Sequence, residues 1–289
     1  MSAVLVVGSA NADLVVPVER RPAGGETVLG GDTTVSPGGK GANTAAAAGR
    51  LGADVALLGA VGDDAHGRLL RESLTAAGAG TQYLRTVDRP TGIAYITVTP
   101  DGENSILVSP GANSALEPAD LTDDVFDGVR VLVTSLEVPL PTVERAVRQA
   151  RSKGVRVLLN LSPAAELSGE TLAALDVLLV NEHEAGYLLA EEDADPRRLL
   201  DLGPRAAVVT RGAAGAVVVE DGKSTTVESP RVEAVDTTGA GDAFAGALAA
   251  SLARGADLVE AARLAVRVAA VSVTRHGAQP SYPTAAELE

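Results

Sequence analysis

The chain has 289 residues, enough for one large domain or two small ones with a substantial core. Its formal net charge of -14 argues against a nucleic-acid or anionic-membrane surface, yet a local anion cradle can act against the global sign. Without cysteine there are no disulfides or thiolate chemistry, and His66, His183 and His276 show no metal-ligand spacing. Aromatics are only 2% of the chain, so the core has to be packed from Val, Leu and Ala. No apolar run approaches the roughly 20 residues of a membrane helix. The opening Val4–Val7 lacks a basic flank, so it reads as a buried strand rather than a signal peptide, and a cytoplasmic protein is expected.

In chain order, short β-branched runs alternate with Ala/Leu/Arg helices. The opening strand, Val4–Gly8, leads into Gly8-Ser9-Ala10-Asn11-Ala12-Asp13. Asn11 and Asp13 fit an Asx turn. At the carboxyl end of a strand they also offer an amide and a carboxylate suited to vicinal hydroxyls. Thr27–Ser36 is extended and glycine-flanked. Pro37-Gly38-Gly39-Lys40-Gly41-Ala42-Asn43 looks like a phosphate loop, but Gly41 stands where a Walker A motif needs Ser or Thr for magnesium. What remains is a tight loop whose backbone can approach a small ligand, with Lys40 and Asn43 as polar contacts. A helix over Gly41–Leu51, a strand over Val55–Gly59 and a helix over Gly67–Ala77 follow.

Thr91–Pro100 and Asn104–Pro110 flank Pro100-Asp101-Gly102-Glu103, a hairpin with an Asp-Gly turn. With Thr27–Ser36, they have too little helix nearby to lie in a helix-covered sheet. They are expected to form a small β-lid, from segments of about 12–38 and 90–110, on a single α/β body spanning 1–289. Such a lid would show water an apolar face, so it has to cover a ligand, a partner subunit or both.

Strands at Val131–Ser135, Val155–Asn160, Val177–Val180 and Ala207–Thr210 alternate with helices at Leu140–Lys153 and Glu182–Ala190, and a long helix covers Ala256–Arg275. This predicts an α/β fold: a doubly wound, mainly parallel sheet with ligands at the strand carboxyl ends. There, Asn181-Glu182-His183-Glu184 reads either as a capped acidic first turn or as a support for hydrated magnesium. Thr210-Arg211-Gly212-Ala213-Ala214-Gly215 suits nucleotide phosphates or ribose.

The strongest chemical signal is Asp236-Thr237-Thr238-Gly239-Ala240-Gly241-Asp242-Ala243-Phe244. Its glycines open a helix over Ala243–Ala253, so free N–H groups and the positive end of the helix dipole point at one spot, an anion cradle. A carboxylate there repels phosphate unless it acts as a base beside an incoming phosphoryl group. The other reading is a helix cap, for which Asp is favoured.

In this order the loops resemble those of the ribokinase/PfkB family of ATP-dependent sugar kinases, over essentially the whole chain. Gly38–Asn43 and Asp236–Asp242 carry the resemblance. Gly8–Asp13, Gly25-Glu26-Thr27-Val28, Gly111-Ala112-Asn113 and Thr274-Arg275-His276-Gly277-Ala278-Gln279-Pro280-Ser281 bring it to the ribokinase branch. The resemblance implies sugar contacts at Asn11, Asp13, Gly39, Lys40, Asn43, Glu137 and Asp242. It implies ATP contacts at Asn181, Thr210, Gly212, Gly215 and Gly241, with magnesium held near Glu184 through water. An anion hole at Gly239, Ala240 and Gly241 and a catalytic base at Asp242 are implied likewise. So is a potassium site at Asp236, Thr238, Ser272, Arg275, Gly277 and Ser281, partly through backbone carbonyls. Val266 departs from the pattern, standing where some members carry a polar residue near adenine. The implied reaction is D-ribose to ribose 5-phosphate, in a homodimer paired through its lids. A relative acting on 2-deoxyribose, fructose or a nucleoside is the nearest alternative, and a catalytically inactive sugar sensor is the alternative from another class. A nicotinamide-dependent dehydrogenase would need Gly-x-Gly-x-x-Gly after an early strand, which Gly8-Ser9-Ala10-Asn11 does not supply.

Overall fold

Alternating strands and helices leave few ways to bury β-branched runs, and the chain adopts the doubly wound one. The computed structural model describes residues 2–288. Strands β1 (Val4–Val7), β2 (Asn11–Pro17) and β3 (Thr34–Gly38) precede helix α1 (Lys40–Arg50). Next come β4 (Val55–Gly62), α2 (Ala65–Ala76), β5 (Leu84–Val87), β6 (Gly92–Val98) and β7 (Asn104–Ser109). The middle holds β8 (Val131–Thr134), α3 (Leu140–Ser152), β9 (Arg156–Asn160) and α4 (Gly169–Ala173). The chain continues with β10 (Val177–Asn181), α5 (Glu182–Leu189), β11 (Ala206–Thr210), β12 (Ala216–Glu220) and β13 (Lys223–Val227), then α6 (Ala240–Ala253) and α7 (Leu258–Ser272).

Among the described residues nine strands form the main sheet, in the order β13-β12-β11-β10-β9-β8-β1-β4-β5. From β11 to β5 every pairing is parallel, and β12 and β13 close one edge antiparallel. The winding reverses between β1 and β8, so a crevice opens outside their carboxyl ends, where open α/β sheets bind ligands. On one face α1, α6 and α7 pack through alanine and glycine. Gly246 of α6 lies so close to α1 that an added Cβ would meet the Thr44 carbonyl and the Ala47 methyl. Small residues thus replace the missing aromatics by bringing helix backbones together. The other face is a leucine and valine core under α3 and α5.

The lid is a second, four-stranded sheet in the order β3-β2-β6-β7. The expected hairpin turn is present, with Gly102 at φ 83° donating its N–H to the Thr99 carbonyl. Two expectations change. Thr27–Ser36 is strand only from Thr34, and its earlier part touches the lid through an isolated bridge between Val18 and Gly30. Asn11 and Asp13 lie within β2, not in a turn after β1, because β2 finds a parallel partner in β6 far along the chain. The sequence reading also omitted β5, the β12–β13 hairpin and the short α4. Among the described residues no helix is long and apolar enough to cross a membrane.

Candidate active site

At the switch point the loops after β1 and β8 are laced together. Ser9 Oγ donates to Glu137 Oε2 at 2.6 Å, and the Lys40 N–H donates to the same oxygen at 3.1 Å. Glu137, expected as a sugar contact, therefore commits one oxygen to fixing the start of α1. Gly39 precedes that helix at φ 87°, and Lys40 and Asn43 sit in its first turn rather than in a free loop.

β2 presents Asn11 and Asp13 from the same face of the lid sheet, paired with Gly38, Ser36, Gly92 and Ala94. The glycines make room: a Cβ on Gly38 would overlap the Asp13 carboxylate, and one on Gly92 would overlap the Asn11 amide oxygen. Asn113 fixes that amide. It accepts from the Ala10 N–H at 2.9 Å and donates to Asn11 Oδ1 at 2.7 Å, which leaves the Asn11 NH₂ to a ligand. Gly111–Asn113, a segment that carries the family resemblance, thus has a structural role in Asn113 that its sequence does not spell out.

Asp242 lies in the first turn of α6, and the cap reading does not hold for it. The N-cap is Gly239, in the left-handed region at φ 72°, and it receives no side-chain cap. Gly239 is held from behind by Tyr282, fully buried, whose hydroxyl donates to the Gly239 carbonyl at 3.0 Å. Tyr282 went unread because its value lies in packing beneath the turn. Asp242 is itself buried and accepts from Asn43 Nδ2 at 2.9 Å.

Charge at this point is strongly unbalanced. Burial pushes the Asp242 carboxyl above its ordinary range, although Lys40 and the Asn43 hydrogen bond act against it. Asp13 is raised to about 7, by burial first and then by the nearby Glu137 and Asp242 carboxylates. Burial works against the Lys40 ammonium, but the carboxylates of Asp242, Glu137, Glu184 and Asp13 together outweigh it, so its pKa stands above the usual value. One cation thus serves several acids, and the site is primed for further positive charge.

Beyond Asp242 the crevice continues as two connected spaces. A polar cleft of about 180 Å³ is lined by Lys40, Asn160, Asn181, Glu184, Thr210 and the Gly239–Asp242 turn. It shares Thr210, Thr237, Ala240 and Gly241 with a more apolar cavity of about 540 Å³, whose walls include Gly212, Gly215, Phe244 and Val266. Val266, which stands where some family members carry a polar residue, is one of the apolar walls of this cavity. Asn160, at the carboxyl end of β9, was missed, although attention to strand ends would have found it. Asn181 and Glu184 form a reciprocal capping box at 2.7 and 2.8 Å while still lining the cleft. Among the described residues no group of three acidic, His or Cys side chains could hold a metal ion.

The two segments expected around a cation do meet. Asp236 accepts from the Thr238 N–H at 2.9 Å and from the Gly277 N–H at 2.8 Å. Burial opposes its charge, yet the Thr238 side chain, the Gly277 and Thr238 N–H groups and the nearby His276 outweigh it and hold the carboxyl below the ordinary range. Ser272 and Ser281 turn their hydroxyls onto the Ala269 and Ala278 carbonyls, and the Arg275 side chain turns away to Glu287.

The profile of the pfkB family carbohydrate kinases matches residues 1–285. The chain belongs to the pfkB family of carbohydrate kinases. Within that family it is 40% identical to ribokinase of Bacillus subtilis (strain 168), over 100% of this chain and 99% of the relative. Its fold superimposes on ribokinase of Thermotoga maritima with TM-score 0.92 and 31% identity, covering 100% and 98% of the two chains. Arabidopsis thaliana ribokinase complexed with ribose and ATP gives TM-score 0.91 and 31% identity over 99% and 97%. Family membership makes the chain a sugar phosphotransferase.

Proposed function

We propose that the chain transfers the γ-phosphoryl group of ATP to the primary hydroxyl of D-ribose, giving ribose 5-phosphate and ADP. The observation that carries this reading is the convergence of Lys40, Asp242 and the Gly239–Gly241 turn beside the nucleotide-sized cavity, with Asp13 close to Asp242. Ribokinase relatives, one of them complexed with ribose and ATP, support the choice of acceptor and donor.

Asp242 orients the acceptor hydroxyl and takes its proton. Even a weak base suffices when the transition state is loose and the proton leaves late. N–H groups at Gly239, Ala240 and Gly241, with the Lys40 ammonium, stabilise charge on the transferring group. Asn11 and Asp13 bind the sugar's secondary hydroxyls, and the lid excludes water as a competing acceptor. Magnesium would be held through water near Asn181 and Glu184, where it would neutralise phosphate charge. Potassium would be held by main-chain oxygens of Asp236–Thr238 and Ser272–Ser281, where it would stiffen the adjoining turn.

The lid supports the reading of a homodimer. Val35, Leu14, Tyr95 and Leu107 form one row across the face opposite Asp13. Tyr95 is 46% and Leu107 70% exposed, and an isologous lid in a second subunit would cover both.

ADP release should be measured across a panel of sugars and nucleosides. Ribose is expected to give the highest kcat/KM, and 2-deoxyribose a lower one because the missing hydroxyl leaves polar groups unpaired. Equal values would assign the chain to a 2-deoxyribose kinase. Tight sugar binding without turnover would make it a sensor.

A further inference from the structure

A buried chain of hydrogen bonds reaches Asp242 from the far side of α1. Ser73 Oγ, on α2, donates to Gln279 Oε1 at 2.7 Å. Gln279 Nε2 donates to Asn43 Oδ1 at 3.1 Å, and Asn43 Nδ2 donates to Asp242 Oδ2 at 2.9 Å. Gln279 and Asn43 are both buried, so neither amide has bulk water as an alternative partner. The direction of the chain is set at its inner end, because an ionised carboxylate can only accept. Every donor therefore points toward Asp242, and each link holds the next amide in the one orientation that serves the base.

We propose that Gln279 is a positioning residue for the reaction: it locks the Asn43 amide so that its NH₂ faces Asp242, favouring the carboxylate and leaving Asp242 Oδ1 for the acceptor hydroxyl. The inference rests on Asp242 being the base. Turned the other way, Asn43 would present its oxygen to a buried carboxylate, and the repulsion would favour the protonated, inactive acid. Other groups bear on the same carboxylate. Lys40 of α1 favours the charge, Glu137 after β8 and Glu184 of α5 oppose it, and Asp13 of β2 and the Tyr282 phenol lie close by. The relay is the neutral component of that balance. Gln279 also follows directly on the Gly277–Ala278 segment that Asp236 ties to the anion turn, so the cradle and the base share one support.

Gln279→Glu keeps the shape but replaces the donor with a carboxylate, which accepts from both Ser73 and Asn43 and so reverses the Asn43 amide. The acid limb of the kcat–pH profile should move upward by at least about one pH unit, a tenfold loss at a fixed pH on that limb. The ATP KM should stay within about twofold, since Ser73, Gln279 and Asn43 line neither the polar cleft nor the apolar cavity. Gln279→Met, which removes the donor without adding charge, and Ser73→Ala, which removes the outermost link, should shift the limb in the same direction by less. They also keep the test open should Gln279→Glu fail to fold. Folded variants with lowered melting temperatures and a pH profile superimposable on wild type would reduce Gln279 to packing. If Asp242→Asn retained full turnover, the base assignment itself would fail, a result distinct from inactive Asp242→Asn with unshifted Gln279 variants.

Discussion

Asp242 is where the account is most exposed at the scale of single residues. Asp242→Asn preserves shape and the Asn43 contact while removing the proton acceptor. Steady-state kinetics should show kcat down by roughly 10²–10⁴-fold, with ribose binding little changed. Asp13 gives a test that needs no substrate. An unfolded Asp titrates near 3.9, whereas folded Asp13 titrates at about 7. Between those values the folded state holds the extra proton, so the stability it confers is complete at the acid end and is lost as pH rises through about 7. Asp13→Asn cannot ionise. Without ligand it should melt above wild type at pH ~8, with the gap closing toward pH ~4. The titratable and glycine positions of the site were legible in the sequence because their chemistry is local. Asn113, Gln279 and Tyr282 were not, since each acts through a partner distant in the chain.

Strands and helices with strong local patterns were read to within a few residues, because β1, β4 and β8 to β11 are buried apolar runs. β13 (Lys-Ser-Thr-Thr-Val) and the four-residue β5 are short, mostly exposed edge strands ordered by pairing with β12 and β4. The lid's root was equally hidden. Asp64 caps α2 through the Gly67 N–H at 2.8 Å and also accepts from the Thr91 N–H and hydroxyl at 2.8 and 2.7 Å, anchoring β6 to the body. Asp64→Ala removes all three bonds. It should cost about 1–3 kcal/mol in chemical denaturation, and the ribose KM should rise as the lid loosens. Gly38→Ala should raise the ribose KM more selectively, since its methyl displaces Asp13 while the nucleotide cavity is untouched.

For the whole molecule, the doubly wound sheet brings the loops after β1, β8, β10 and β11 to one edge, and β2 of the lid brings Asp13 to the same place. The apolar outer row of that lid links the proposed dimer to the proposed sugar site. Tyr95→Glu places a charge in the row and should weaken self-association in sedimentation velocity while raising the ribose KM. A wild-type protein fully active as a monomer at low concentration would remove the dimer and leave the chemistry intact. The chemistry has its own decisive measurement: phosphorus NMR of wild type with ATP, magnesium, potassium and D-ribose. The account predicts ribose 5-phosphate appearing in step with ADP, and neither in the Asp242→Asn protein on the same timescale. ADP formed with inorganic phosphate and no sugar phosphate, or no turnover of ATP at all, would contradict it.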